Sequence, residues 1–258
     1  MKRKIIISVL VILTFFALNY LKYFFRYVVF GEEKWIAMDF NLAISYLNYT
    51  KMAIVLIVTF LLFKRIDFGL FGLKKDVLKG FVVAIVCVLP MFLGYGYAVG
   101  FKTDITYDRA HMDLILAGFY EEFMFRGFLF GILFYYAGWG FVSAVLIPSI
   151  LFGIGHLYQA DTLGEGVGVF LFTALGGAGF AWFYVAWRSL WMVAFLHGLM
   201  DLCWDMFSVQ SNVTGNLHAN VFRFLTLGLA IFFSIRKAKA ENSYSLKGKL
   251  WLNKEILS

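Results

Sequence analysis

Glu121 and Glu122 stand side by side in the apolar stretch Glu121-Glu122-Phe123-Met124-Phe125-Arg126, and His156, His197 and Asp201 follow in later apolar stretches. Ionisable groups are expensive in hydrocarbon: a central Arg or Asp costs roughly 2.5–3.5 kcal/mol on insertion scales. These side chains are therefore expected to face a polar interior, and they are functional candidates. Carboxylates and imidazoles gathered there could activate water, relay protons, stabilise an oxyanion or bind a metal.

Helical spacing divides the roles. Adjacent residues on an α-helix diverge by about 100°, so Glu121 and Glu122 cannot make the same contact. Glu122 and Arg126 are i,i+4 with the acid N-terminal, the better orientation for an ion pair that braces the helix. That leaves Glu121 on another face, available as a general base. His156 closes the run Leu151-Phe152-Gly153-Ile154-Gly155-His156, where Phe152 shares its face and the glycines admit a neighbouring helix. His197 and Asp201 are again i,i+4, with Asp205 one turn further along the same stripe. Such a His-Asp pair can set a tautomer, ligate a metal, or serve a developing oxyanion.

The residues alone leave two classes open. One is a hydrolase; the other is an ion- or proton-coupled transporter using the same buried groups as a relay. Neither a Gly-x-Ser-x-Gly nucleophile motif nor a His-Glu-x-x-His zinc signature occurs.

The elements that must position these groups are membrane spans. The chain is 62% hydrophobic and 15% charged over 258 residues, against ~45–50% and ~25% in soluble domains. Apolar runs near 5–25, 43–63, 80–100, 113–137, 139–157, 167–187, 190–208 and 219–235 each approach the ~20 residues that cross a bilayer. The expected fold is all-α, a polytopic membrane bundle of about eight transmembrane helices. The whole of 1–258 reads as one membrane domain, with residues 110–207 as its catalytic core and 238–258 as a polar tail, surface-bound or mobile.

An even number of spans puts both termini on one side. Lys2, Arg3, Lys4, Lys64, Arg65, Lys74, Lys75, Lys79, Arg188 and the tail from Arg236 to Lys254 outnumber Lys22, Arg26, Lys34, Lys51, Lys102 and Arg109 on the other face, so the termini are expected in the cytoplasm. The basic N-terminus with its long apolar run reads as a retained signal anchor. Ile66 to Lys79 reads as an amphipathic interfacial piece. Pro90 and Pro148 are expected to kink their helices, and Gly164 and Gly168 have small-xxx-small spacing for close packing. Trp139, Trp187 and Trp191 suit interfacial belts. Cys87 and Cys203 lie in apolar runs and form no disulfide framework. The net charge of +7 fits cytoplasmic loops, and the basic-aromatic surface of a nucleic-acid reader is missing.

Glu121-Glu122-x-x-x-Arg126, Phe152-x-x-x-His156 and His197-x-x-x-Asp201, each in a separate span, resemble in type and order the motifs of the CAAX prenyl protease and bacteriocin-processing (Abi) family of intramembrane endopeptidases. Arg126-Gly127 also continues the first motif as that family does. The resemblance spans about residues 110–207. It implies an eight-helix membrane protease with Glu121 and His156 as the water-activating pair, His197 and Asp201 near the oxyanion, and Glu122 and Arg126 in support.

The favoured expectation is a glutamate-type enzyme with no cofactor. The metal-dependent alternative would place a divalent ion, zinc by expectation, on Glu121, His156, His197 and Asp201. The family's eukaryotic branch carries Asn where this chain has Asp201. An ionised carboxylate cannot donate to an oxyanion, which shifts the expectation for Asp201 toward orienting His197 or ligating a metal. The implied partners are a peptide or protein substrate, lipid-modified in the prenyl-trimming branch, and membrane lipid, with no nucleic acid. The expected location is a bacterial plasma membrane, and bacteriocin self-immunity is one implied role. His111, His218 and Arg223 sit at span edges and are weaker candidates.

Overall fold

The computed structural model describes residues 2–30, 39–65, 67–241 and 249–253. Lys34, Ile66 and the tail positions 242–248 and 254–258 lie outside the described residues, as do the side chains of Lys22 and Arg26.

The chain folds into helices joined by short connections. They are α1 (Lys2–Phe30), α2 (Phe40–Phe63), α3 (Val77–Ala98), α4 (helical through the abutting pieces Tyr107–His111, Met112–Glu121, Phe123–Phe130 and Gly131–Tyr135), α5 (Phe141–Gly155), α6 (Leu163–Trp187), α7 (Leu190–Met206) and α8 (Leu217–Ala240). Caps mark their starts: Thr162 accepts from the Glu165 N–H, Ser189 from Trp191 and Asn216 from Ala219. An isolated bridge pairs Trp139 with Leu252.

Six of these helices are long and apolar enough to cross a membrane by length and composition: α1, α2, α3, α5, α6 and α8. The other two carry the glutamate motif and the His-x-x-x-Asp motif: α4 is divided into four short pieces, and α7 has 17 residues. The protein is thus a multi-pass membrane protein with six candidate spans. Ile7, Val11, Phe15 and Leu18 of α1 are buried in the common core, so α1 packs into the bundle.

Both described chain ends lie at the same end of the bundle. Trp139 Nε1 donates to Ser8 Oγ at 2.9 Å. Lys249–Asn253 docks on the α4–α5 turn, where Gly140, Phe141 and Val142 donate their N–H groups to the carbonyls of Trp251, Lys249 and Leu250. The first amides of α5 are capped by this tail. Asn253 is buried, with Nδ2 on the Phe134 carbonyl at 3.1 Å. This stretch is therefore neither mobile nor merely surface-bound, because its backbone carbonyls are the partners those orphan amides need.

Other expectations also change. Within the expected interfacial piece, Phe68–Phe71 forms a short turn whose Leu70 and Phe71 are buried while Phe68 and Leu78 stay exposed. Trp187 is buried with its indole on Ser234 Oγ at 2.8 Å, inside the protein and not in an aromatic belt. Pro90 and Pro148 do lie within α3 and α5. A Cβ at Gly164 would meet nothing and one at Gly168 only the Thr214 methyl, so that glycine pair makes no helix contact. The close crossings use Gly80 against Met192, Gly153 against Phe170, and Gly118 against Gly198.

Candidate active site

The crossing of α4 and α7 decides the geometry. A Cβ at Gly118 would lie 2.6 Å from the Gly198 Cα, so only glycine allows this approach. Glu122 stands one turn past Gly118, and His197 adjoins Gly198. The close approach therefore drives Glu122 into the face of α7 that carries His197. Around this point α4 is π-helical over Met112–Glu121 and Phe123–Phe130, a winding that recurs at functional sites.

Glu122 is completely buried. Its Oε1 accepts from Arg126 Nη1 at 2.9 Å and from His197 Nδ1 at 2.7 Å. The pair expected within one helix is thus a three-residue bridge between two helices. His197 Nε2 faces Asp201 Oδ2 at 3.4 Å. Carboxylates at both ring nitrogens are satisfied together only when each nitrogen carries a proton. Since Nδ1 is committed to Glu122, Nε2 is the position able to turn toward a substrate.

Arg126 is held by more than charge. Nη2 reaches the Gly177 carbonyl at 3.4 Å, and the guanidinium lies 4.7 Å from the Phe152 ring centre and 5.6 Å from that of Phe180. Phe152 is the hub of the site. Its ring centre is 4.4 Å from that of His156 and 6.2 Å from that of His197, and its carbonyl engages His156 Nδ1 at 2.8 Å. One phenylalanine thus separates and orients both histidines.

Glu121 is partly exposed while its neighbour is sealed, and the charges of His156, His197, Asp201 and Arg126 all act on it. The residues singled out from sequence are brought together: Glu121, Glu122 and Arg126 from α4, His156 from the end of α5, His197 and Asp201 from α7. The weaker candidates lie apart. His111 Nε2 pairs with Tyr49 Oη at 2.7 Å near the surface, and His218 stacks among Tyr95 and Phe222.

The metal alternative fits poorly. Among the described residues no group of three or more His, Cys, Asp or Glu side chains is disposed to hold an ion. No step of the reaction is therefore drawn through a metal.

Residues 110–203 match the family model for type II CAAX prenyl endopeptidases of the Rce1-like kind. This stretch is an Rce1-like domain. No curated protein and no solved structure matches the chain. The Rce1-like domain is a protease domain, and it contains every one of the six site residues.

Sequence reasoning missed three supports of this domain. Gly118 and Gly198 give no signal individually, because their partners are on different helices. Phe180 and the Gly177 carbonyl come from α6, outside all three motifs. The third is a cluster in which Arg109 bridges Asp205 and Asp113, the latter at 3.5 Å and buried. Its i,i+4 spacing, Arg109 to Asp113, was the available clue.

Proposed function

We propose that the protein is an intramembrane endopeptidase in which Glu121 and His156 activate water for attack on a peptide carbonyl. The observation supporting this reading is the division of labour between adjacent glutamates. Glu122 is spent on Arg126 and His197, while Glu121 is free of that bridge and lies in the field of both histidines. Glu121 takes a proton from water, the hydroxide adds to the carbonyl carbon, and the oxyanion is met by the proton on His197 Nε2. The proton on Glu121 then passes to the departing amine. Asp201 holds the His197 ring and does not itself donate to the oxyanion.

In this reading α4 and α7 also cross the membrane, giving eight spans with both termini cytoplasmic. The matched domain directs the search for a substrate to proteins with a prenylated carboxyl tail, and the bacteriocin branch of the family makes peptide maturation or self-immunity a second biological setting. The test is cleavage of a quenched fluorescent peptide bearing a farnesylated cysteine near its carboxyl end, by the full-length protein in nanodiscs. Glu121→Gln should lower kcat by about 100-fold or more. Full activity in Glu121→Gln would overturn the assignment. Coupled proton or sodium uptake in proteoliposomes, with no cleavage, would return the transporter reading.

A further inference from the structure

His156 occupies a place where a helix alone would not hold it. It follows the last residue of α5, and helix ends fray. Gly155 beside it has open space around its Cβ position, and Leu157 is exposed. The imidazole is fixed on one side by the Phe152 carbonyl and ring. The backbone turn that carries it needs another anchor.

That anchor runs through a single residue, Val213, in the α7–α8 connection. The turn Leu157–Gln159 begins at His156, and the Gln159 N–H donates to the His156 carbonyl at 3.0 Å. Gln159 Oε1 in turn accepts from the Val213 N–H at 2.9 Å. The Val213 carbonyl accepts from Arg223 Nη1 at 2.6 Å. A continuous line of hydrogen bonds thus joins α8 to the His156 backbone.

The far end of this line is rigid. Arg223 is 4% exposed, and its guanidinium lies 4.1 Å from the Trp204 ring centre and 4.7 Å from that of Phe172. Trp204 stands on α7 one turn beyond Asp201, and its indole N–H donates to the Gln210 carbonyl at 3.0 Å. The same tryptophan therefore braces Arg223 and fixes the connection that Arg223 grips. A buried cation in a span is costly. Here it is directed at a backbone carbonyl and two aromatic faces, which places the Val213 carbonyl.

We infer that Gln159 and Arg223 are positioning residues that hold Val213 by its N–H and by its carbonyl and thereby set where His156 stands relative to Glu121. This rests on reading His156 as half of the water-activating pair. Proton transfer needs heavy atoms about 2.6–3.2 Å apart, and a displacement near 1 Å can cost about 100-fold. Loosening the tie should slow the chemical step and leave substrate binding in place.

The experiment compares Gln159→Met, which keeps length and removes the acceptor, with Gln159→Glu, which keeps an acceptor for the Val213 N–H. Full-length variants in nanodiscs are assayed on the farnesylated peptide, alongside His156→Ala. Gln159→Met should lower kcat about tenfold with little change in KM, and Gln159→Glu should restore most of it. Separately, the rate at which diethyl pyrocarbonate modifies His156, read by mass spectrometry, should rise in Gln159→Met and return in Gln159→Glu. Arg223→Gln should raise that rate as well, wherever it yields folded protein. Wild-type kcat and a wild-type modification rate in Gln159→Met would overturn the inference. So would a Gln159→Glu variant as impaired as Gln159→Met. Full cleavage by His156→Ala would instead sink the assignment of His156, and the modification rates would still decide whether the tie exists.

Discussion

Gly118 of α4 and Gly198 of α7 meet backbone to backbone, with 2.6 Å between a Cβ built on the first and the Cα of the second. The Glu122–His197 hydrogen bond depends on that approach. Gly118→Ala should therefore destabilise the protein by about 1–3 kcal/mol through overpacking and lower activity as the helices part. Gly164→Ala is the control. Its Cβ meets nothing, and replacing a helical glycine should be neutral or stabilising by up to about 1 kcal/mol. Thermal unfolding in detergent separates the two, and equal Tm values would contradict the packing argument.

Glu122 Oε1 engages the Arg126 guanidinium and the His197 ring at once. Glu122→Gln leaves Arg126, which is 3% exposed, without its counter-charge in a buried setting. Removing one partner of a buried pair costs about 3–5 kcal/mol, so the folded yield should fall sharply. Glu121→Gln should instead fold normally and be inactive. Size-exclusion profiles of both variants check this contrast, and a normal yield of Glu122→Gln would show that the bridge is dispensable.

Asp201 Oδ2 lies 3.4 Å from His197 Nε2, within reach of a hydrogen bond from that ring. Asn at this position can still accept that hydrogen bond, and Ala cannot. Asp201→Asn should keep measurable cleavage, with Asp201→Ala about tenfold lower, the worth of one hydrogen bond to a charged ring. If the two were equally inactive and wild type required a divalent ion, Asp201 would be a ligand instead.

Asp67 lies outside the spanning helices. A hydrogen bond from Lys74 holds its carboxyl below the usual carboxylate range, helped by the Gly69 N–H and, more weakly, by the charges of Lys74 and Arg65. A depressed folded pKa contributes stability above the unfolded value of about 3.9 and loses it as pH falls through the folded value. Asp67→Asn keeps the cap on Gly69 but loses the ion pairs. Its Tm deficit relative to wild type should thus be present at neutral pH and close on acidification below about pH 4. A deficit that stays constant across that range would assign it to packing alone.

The sequence by itself determined the class of the protein and marked the residues proposed to carry its chemistry. Long apolar runs dictate helices in a membrane, because only internally satisfied backbone survives in hydrocarbon. Ionisable side chains inside those runs point to a site, because their cost must be offset by function. The i,i+4 spacing of Glu122 and Arg126, and of His197 and Asp201, follows from helix geometry within one element. What joins elements was not legible. That Glu122 serves His197, that Phe152 sits between the two histidines, and that Gly177 of α6 receives Arg126 all depend on how separate helices cross. A glycine such as Gly118 looks like any other until its partner is known, and Gly164 with Gly168 carried a packing signal that the fold does not use. The docked segment Lys249–Asn253 was invisible for the same reason. Its interactions are through backbone carbonyls, which every residue possesses, so only the tertiary structure could choose the amides of Gly140, Phe141 and Val142 as their partners.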